Sequence, residues 1–162
     1  LLRALAGLLP PEEGTITLEG GPPDVDLPRQ AHYLAHADGM KAALSVSENL
    51  DFWASYLGGG QDARSLPTAE ALAAVGLSHA LHAPCGALSA GQKRRAALAR
   101  LLVAYRPLWL LDEPFAALDA SGQGLVAHLM ARHCGAPCQR ICSRAGKGSG
   151  RPGLASKSYS WA

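Results

Sequence analysis

No apolar run in this chain approaches the ~20 consecutive residues a membrane-spanning helix requires, so any membrane link is expected to come through a partner. The opening segment, Leu1-Leu2-Arg3-Ala4-Leu5-Ala6-Gly7-Leu8-Leu9, lacks an initiator Met, a basic leader and a small-residue cleavage site, and reads as a helix entered midway rather than a signal peptide. Four cysteines in 162 residues are too few for a secreted disulfide framework, which points to a reducing cytosol and unpaired thiols. Cys134, Cys138 and Cys142 recur at fours, but Gly135 and Pro137 spoil a helical face, and no histidine stands at zinc-finger spacing. A net charge of +2 is too small to imply nucleic acid, and long coiled-coil heptads are missing as well. Acidic residues are absent from 120–162, which carry 6 Lys/Arg, whereas 1–119 carry 9 Lys/Arg against 13 Asp/Glu. The last quarter is a different kind of sequence.

What is present suits one domain with a proper core, since 48% of the residues are hydrophobic. Leu1, Leu2, Leu5, Leu8 and Leu9 fall at helical spacing, with Pro10-Pro11 as the expected stop. Residues 15–19 alternate polar and apolar as a half-buried strand does, and Gly20-Gly21-Pro22-Pro23 forces a turn. Residues 31–35 are short and mostly apolar, which predicts a buried strand leading into the loop His36-Ala37-Asp38-Gly39. Ser45-Val46-Ser47-Glu48 fits a capping box and opens a helix with Val46, Leu50, Trp53 and Leu57 on one face, broken at Gly58-Gly59-Gly60. A second helix is predicted from Pro67 through Leu72 and Val75 to Gly76.

Ser89 and Gln92 form another capping box, and the helix they open runs through Leu98, Leu101 and Leu102 until Pro107 ends it. Leu108-Trp109-Leu110-Leu111 is then a buried strand delivering Asp112 and Glu113 at its carboxyl end, the edge where ligands collect in open α/β sheets. A further helix is expected over about 122–132, and no strand after it.

Singly, these pieces are ordinary. Ser-x-x-Gln caps many helices, and an acid pair can sit solvated at a strand end. Together they suit a nucleoside triphosphate: the helix opening at Ser89 presents free N–H groups to phosphate, and Gly91 permits close backbone approach. Two carboxylates directly after four apolar residues are costly unless a cation or donor receives them. Asp112 is accordingly the candidate Mg²⁺ ligand, through water, and Glu113 the group that orients and deprotonates an attacking water. Asp119 is a candidate cap for the next helix. Lys93-Arg94-Arg95 is read as a solvated helix face, and His36 as a structural histidine or a ligand.

In that order and spacing the residues resemble ATP-binding-cassette ATPases from Leu1 to roughly Met130. By that resemblance Leu88-Ser89-Ala90-Gly91-Gln92 is the family's signature, Leu108 to Glu113 its Walker B segment, and Ala117-Leu118-Asp119 its D-loop. His36-Ala37-Asp38-Gly39-Met40-Lys41, followed by Leu44 to Leu50, is similar to the haem-exporter branch of the family, which serves cytochrome c maturation. That branch places His where most relatives have the Q-loop Gln, and reads Ser-Ala-Gly-Gln in the signature.

The resemblance implies an α/β fold: a P-loop NTPase-like core with a small helical insert, incomplete at the N-terminus and irregular at the C-terminus. It divides the chain into a partial ATPase domain over 1–132, with the insert over about 45–105, and a basic, disordered or out-of-frame tail over 133–162. It further implies ATP and Mg²⁺ as ligands, no nucleic acid, and a head-to-tail pair in which Ser89, Ala90, Gly91 and Gln92 close over the other copy's ATP. Membrane subunits of a haem-export system would dock near His36 and the insert, at the cytoplasmic face of a bacterial inner membrane. An exporter ATPase for another cargo and a non-catalytic fragment are the alternative readings. The family's phosphate loop, Gly-x-x-Gly-x-Gly-Lys-Ser/Thr, is expected just before Leu1 and does not occur in these residues, and no Thr-His switch follows the last helix. The chain alone is therefore expected to be inactive.

Overall fold

A computed structural model describes residues 1–13, 16, 18 and 24–135, and the backbone of 139–143. Its centre is a three-stranded parallel sheet in the order β1 (Ala31–Leu34), β2 (Leu108–Asp112), β3 (Gln139–Ser143). Parallel neighbours need a long crossover, and residues 35–107 supply it between β1 and β2. Ala31 pairs with Leu108 and Leu34 with Leu111, so both strands end at the same edge.

The alternation along β2 divides the core in two. Trp109 and Leu111 face a large cluster with Leu50, Leu72, Val75, Leu98 and Leu101, whereas Leu108 and Leu110 face a smaller one with Leu2, Leu5 and Leu27. A strand buried on both faces has to be apolar throughout, which is why 108–111 reads as a continuous run. Burying each of the wholly enclosed leucines contributes about 1.5–3 kcal/mol.

Four helices form the layer on the larger cluster: α2 (Val46–Leu57), α3 (Thr68–Ala74), α4 (Ala90–Val103) and α5 (Ala120–Gly135). Both expected capping boxes are present. Ser45 Oγ accepts from the Glu48 N–H at 3.2 Å while the Glu48 carboxylate accepts from the Ser45 N–H at 2.7 Å. Gly58, at φ +75°, closes α2 in the left-handed conformation that glycine takes without steric cost.

Several sequence expectations need correction. The first helix, α1, covers only Leu2–Leu5 rather than extending to Pro10. Its stop is a Schellman turn: the Gly7 N–H donates to Ala4 O and the Leu8 N–H to Arg3 O, with Gly7 at φ +72°. Likewise α4 ends at Val103, four residues before Pro107, where Ala104 turns extended and its carbonyl meets the buried His32 ring. The last helix continues past 132 to Gly135, and a strand does follow it, at 139–143, in register with Leu108–Asp112. Tertiary pairing with β2 supplies what that segment's composition lacks, because β preference depends on strand neighbours more than on the residues alone. The strand expected over 15–19 lies largely outside the described residues, though Ile16 and Leu18 pack against the smaller cluster. Residues 144–162 also lie outside them.

Candidate functional site

Because β1 and β2 are parallel and aligned, their carboxyl ends bring two loops together: Ala35 to Asp38 after β1, and Glu113 to Asp119 after β2. This joins two residues 77 positions apart, since His36 Nδ1 lies 3.5 Å from Glu113 Oε2. The contact is ionic in the imidazolium form; His36 is exposed and Glu113 about one-third so. Glu113 has φ +48°, a left-handed conformation uncommon outside glycine, and Ala117 has φ +60°. Asp112, half-buried, is the last residue of β2.

The guanidinium of Arg94, in the second turn of α4, lies beneath this edge. Its Nη1 donates to Ala35 O at 2.9 Å and to Asp38 Oδ1 at 3.0 Å, and its Nη2 donates to Asp112 O and Glu113 O, each at 2.8 Å. The side chain is 4% exposed. The reading of Lys93-Arg94-Arg95 as a solvated face is therefore wrong for Arg94: carbonyls at two strand ends and one carboxylate compensate its desolvation. Arg100, also buried, donates to Tyr33 O at 3.0 Å and stacks over Trp53 at 4.5 Å. Burial pushes its guanidinium down to about 10, so the charge is retained at neutral pH. Trp53 in turn donates from Nε1 to Gly39 O at 3.2 Å, which ties the loop after β1 to the insert.

The signature residues satisfy one another at the start of α4. Ser89 Oγ accepts from the Gln92 N–H at 3.2 Å, and Gln92 Oε1 accepts from the Ser89 N–H at 3.0 Å. Ala90 is exposed as the first helical residue. Gly91 also packs closely inside this chain: a Cβ there would stand 3.0 Å from Ala117 O, so the glycine eases the approach of α4 to the loop after β2. Asp119 caps α5 as expected, its Oδ1 accepting from the Gly122 N–H at 2.7 Å, and it pairs with Arg95 at 3.1 Å. The Gly122 N–H, more than Arg95, holds the Asp119 carboxyl below its usual range.

Arg94, Arg100 and Asp38 were missed among the candidate residues, and one signal for Arg94 was available. It lies four and seven positions before Leu98 and Leu101, on the apolar stripe of its own helix. A charged residue in register with a core stripe needs buried partners. Which partners those are is a property of the strand ends, not of the helix.

An edge with a Ser-Ala-Gly-Gln helix start, an acid pair and a helix-capping aspartate agrees with one family in particular, and the ABC transporter family matches residues 1–116. The chain belongs to that family. Within it, the chain is 57% identical over 133 residues to the cytochrome c biogenesis ATP-binding export protein CcmA of Nitrobacter winogradskyi, covering 82% of this chain and 64% of that protein. The proteins of the same name from Nitrobacter hamburgensis and Rhizobium meliloti are 59% and 53% identical, each over 82% of this chain and 65% of the relative. The chain thus spans just under two thirds of the length of these relatives. An ABC transporter ATP-binding protein from Pyrococcus furiosus shares the fold, with a TM-score of 0.69 at 23% identity over 90% of this chain and 72% of that one. The expected α/β ABC ATPase fold is borne out. Among the described residues no helix is long and apolar enough to cross a membrane.

Proposed function

We propose that these residues belong to the ATP-hydrolysing subunit of a transporter that couples ATP turnover to haem export or handling in cytochrome c assembly. The observation that carries this is identity above 50% with several CcmA proteins, over a stretch that includes the signature and both carboxylates. In this reading Glu113 orients and deprotonates the attacking water, and the 3.5 Å contact with His36 restrains its carboxylate. Ser89, Ala90, Gly91 and Gln92 present the positive end of α4 to the ATP of a second subunit in a head-to-tail pair. Asp119 caps α5 at the same face, where the pair would meet.

The donor set fits Mg²⁺, because adjacent carboxylates at a half-exposed strand end offer the hard oxygens this ion takes while it keeps most of its waters. Asp112 would hold it through water. When bound, the ion neutralises charge developing on the phosphates. The 162 residues contain no Gly-x-x-Gly-x-Gly-Lys-Ser/Thr loop to cradle the β- and γ-phosphates, so we expect no ATP turnover from them alone, which an ATPase assay of the purified chain checks. The subunit works at the cytoplasmic face of a bacterial inner membrane, held there by membrane subunits that dock near His36 and the insert and select the cargo. ATP hydrolysis by the intact subunit in its transporter tests the reading: Glu113→Gln should abolish turnover while ATP binding persists. Undiminished turnover in that variant would reject Glu113 as the base.

A further inference from the structure

Arg94 spans more of the site than any other described side chain, joining α4 to both loops that meet at Glu113. Its four acceptors, Ala35 O, Asp38 Oδ1, Asp112 O and Glu113 O, lie 18 to 59 residues away in sequence. Two of them flank His36 and two lead into the Glu113 side chain. The carbonyls of Asp112 and Glu113 converge on a single nitrogen, Nη2, although successive carbonyls of an extended strand point in opposite directions. The left-handed turn at Glu113 (φ +48°) accompanies that convergence, and a non-glycine residue holds such a turn only when its surroundings over-determine it. A buried guanidinium does so here. Lysine could not replace it, because a single ammonium cannot reach two acceptor pairs through a rigid planar fork.

We infer that Arg94 is a positioning residue that latches the start of α4 to the backbone of Glu113 and to the His36 loop, so that movement of α4 sets the aim of the Glu113 carboxylate. It stands just behind the capping box of Ser89 and Gln92, on the rigid helix whose first turn faces the second subunit in the proposed pairing. Engagement of that turn by the partner's nucleotide is thereby read out at this subunit's own Glu113, by a buried connection and without contact between Arg94 and ATP. The readout step rests on the proposed function; the latch itself does not.

Two measurements test it. In the 162-residue chain, Arg94→Lys and Arg94→Gln should speed amide hydrogen exchange in 36–39 and 113–117 by about tenfold, with 46–74 unchanged. Should Arg94→Gln fail to fold, Asp38→Asn, which removes one charged acceptor, should loosen 36–39 more than 113–117. In the ATP-hydrolysing transporter, Arg94→Lys should lower kcat by about a hundredfold at a nearly unchanged KM for ATP, as misplacement of a reacting group does. Exchange that is unaltered at both loops, or equally raised throughout the chain, would overturn the latch. Normal kcat in Arg94→Lys would overturn the readout, since charge alone would then suffice. A parent transporter without ATPase activity would instead reject the proposed function and the readout that depends on it, while exchange still decides the latch.

Discussion

The helical insert and the sheet edge differ in how far their stabilising contacts reach along the chain. In the insert, Ser45 and Glu48 satisfy each other across three residues, Gly58 stops the helix they open, and Leu50, Leu72 and Val75 bury one face of each helix against Leu98. At the edge, Arg94 reaches across 56 and 59 residues to Asp38 and Ala35 and Arg100 across 67 to Tyr33; beneath it, in the first half of β1, His32 reaches across 72 to Ala104 at the far end of α4. The insert is apolar and locally specified. The edge is polar, held by buried guanidinium groups and specified from a distance. Perturbations of the insert should therefore act as separable losses, whereas those at the edge should be coupled through shared acceptors.

The largest effect that would sharpen this contrast is cavity creation in the insert. Leu72→Ala, at a fully enclosed position, should cost about 2–5 kcal/mol in urea denaturation, because the removed methyl groups leave a void the helices cannot close. A loss below about 1 kcal/mol would mean the insert core repacks freely.

Second is the pH response of the sheet beneath the edge, at His32 in β1. Burial lowers His32 from 6.5 to about 3, and its Nε2 lies 2.6 Å from Ala104 O, so the folded state holds a neutral ring. The unfolded chain binds the extra proton between those values, so His32 contributes stability that is complete above about pH 6.5 and declines as pH falls toward 3. The slope should approach 1.4 kcal/mol per pH unit, about one proton's worth, in the middle of that window. In His32→Gln the dependence over pH 4–6 should flatten; an unchanged slope would place the acid sensitivity elsewhere.

Smaller again is Ser45→Ala, which removes one cap and should cost about 1 kcal/mol in thermal or urea unfolding, with no change in hydrogen exchange at 113–117. Coupling to that loop would break the separation between the two regions. Smallest is Arg95→Ala. It leaves Asp119 with its Gly122 N–H and removes a pair whose carboxylate is exposed together with the packing of the Arg95 stem, so its melting temperature should fall by less than about 2 °C.

Elements whose signals lie within one or two turns were legible from the residues alone. The capping boxes at Ser45 and Ser89, the strand at 108–111 and the cap at Asp119 all form where expected. Errors concentrated where distant groups decide. The first helix stops at Gly7 rather than Pro10, in a turn whose glycine lies against Pro28, so that a Cβ there would stand 2.5 Å from Pro28 Cγ. The strand at 139–143 carries one aliphatic residue and could be recognised only beside β2. Arg94 was misread because a basic run is usually solvated, and only its register with Leu98 and Leu101, outside the run, marks the member that turns inward.

By itself the sequence determined the family, the α/β alternation, the helix starts and the identity of the acid pair, since these depend on periodicity, capping chemistry and motifs that act over a few residues. Only the tertiary structure decided that His36 meets Glu113, that Gly91 packs closely against Ala117, and that a buried guanidinium joins the signature helix to both loops. The physical reason is desolvation. A charge leaves water only where enough acceptors converge on it, and here that convergence exists only once two parallel strands have brought their ends to one edge.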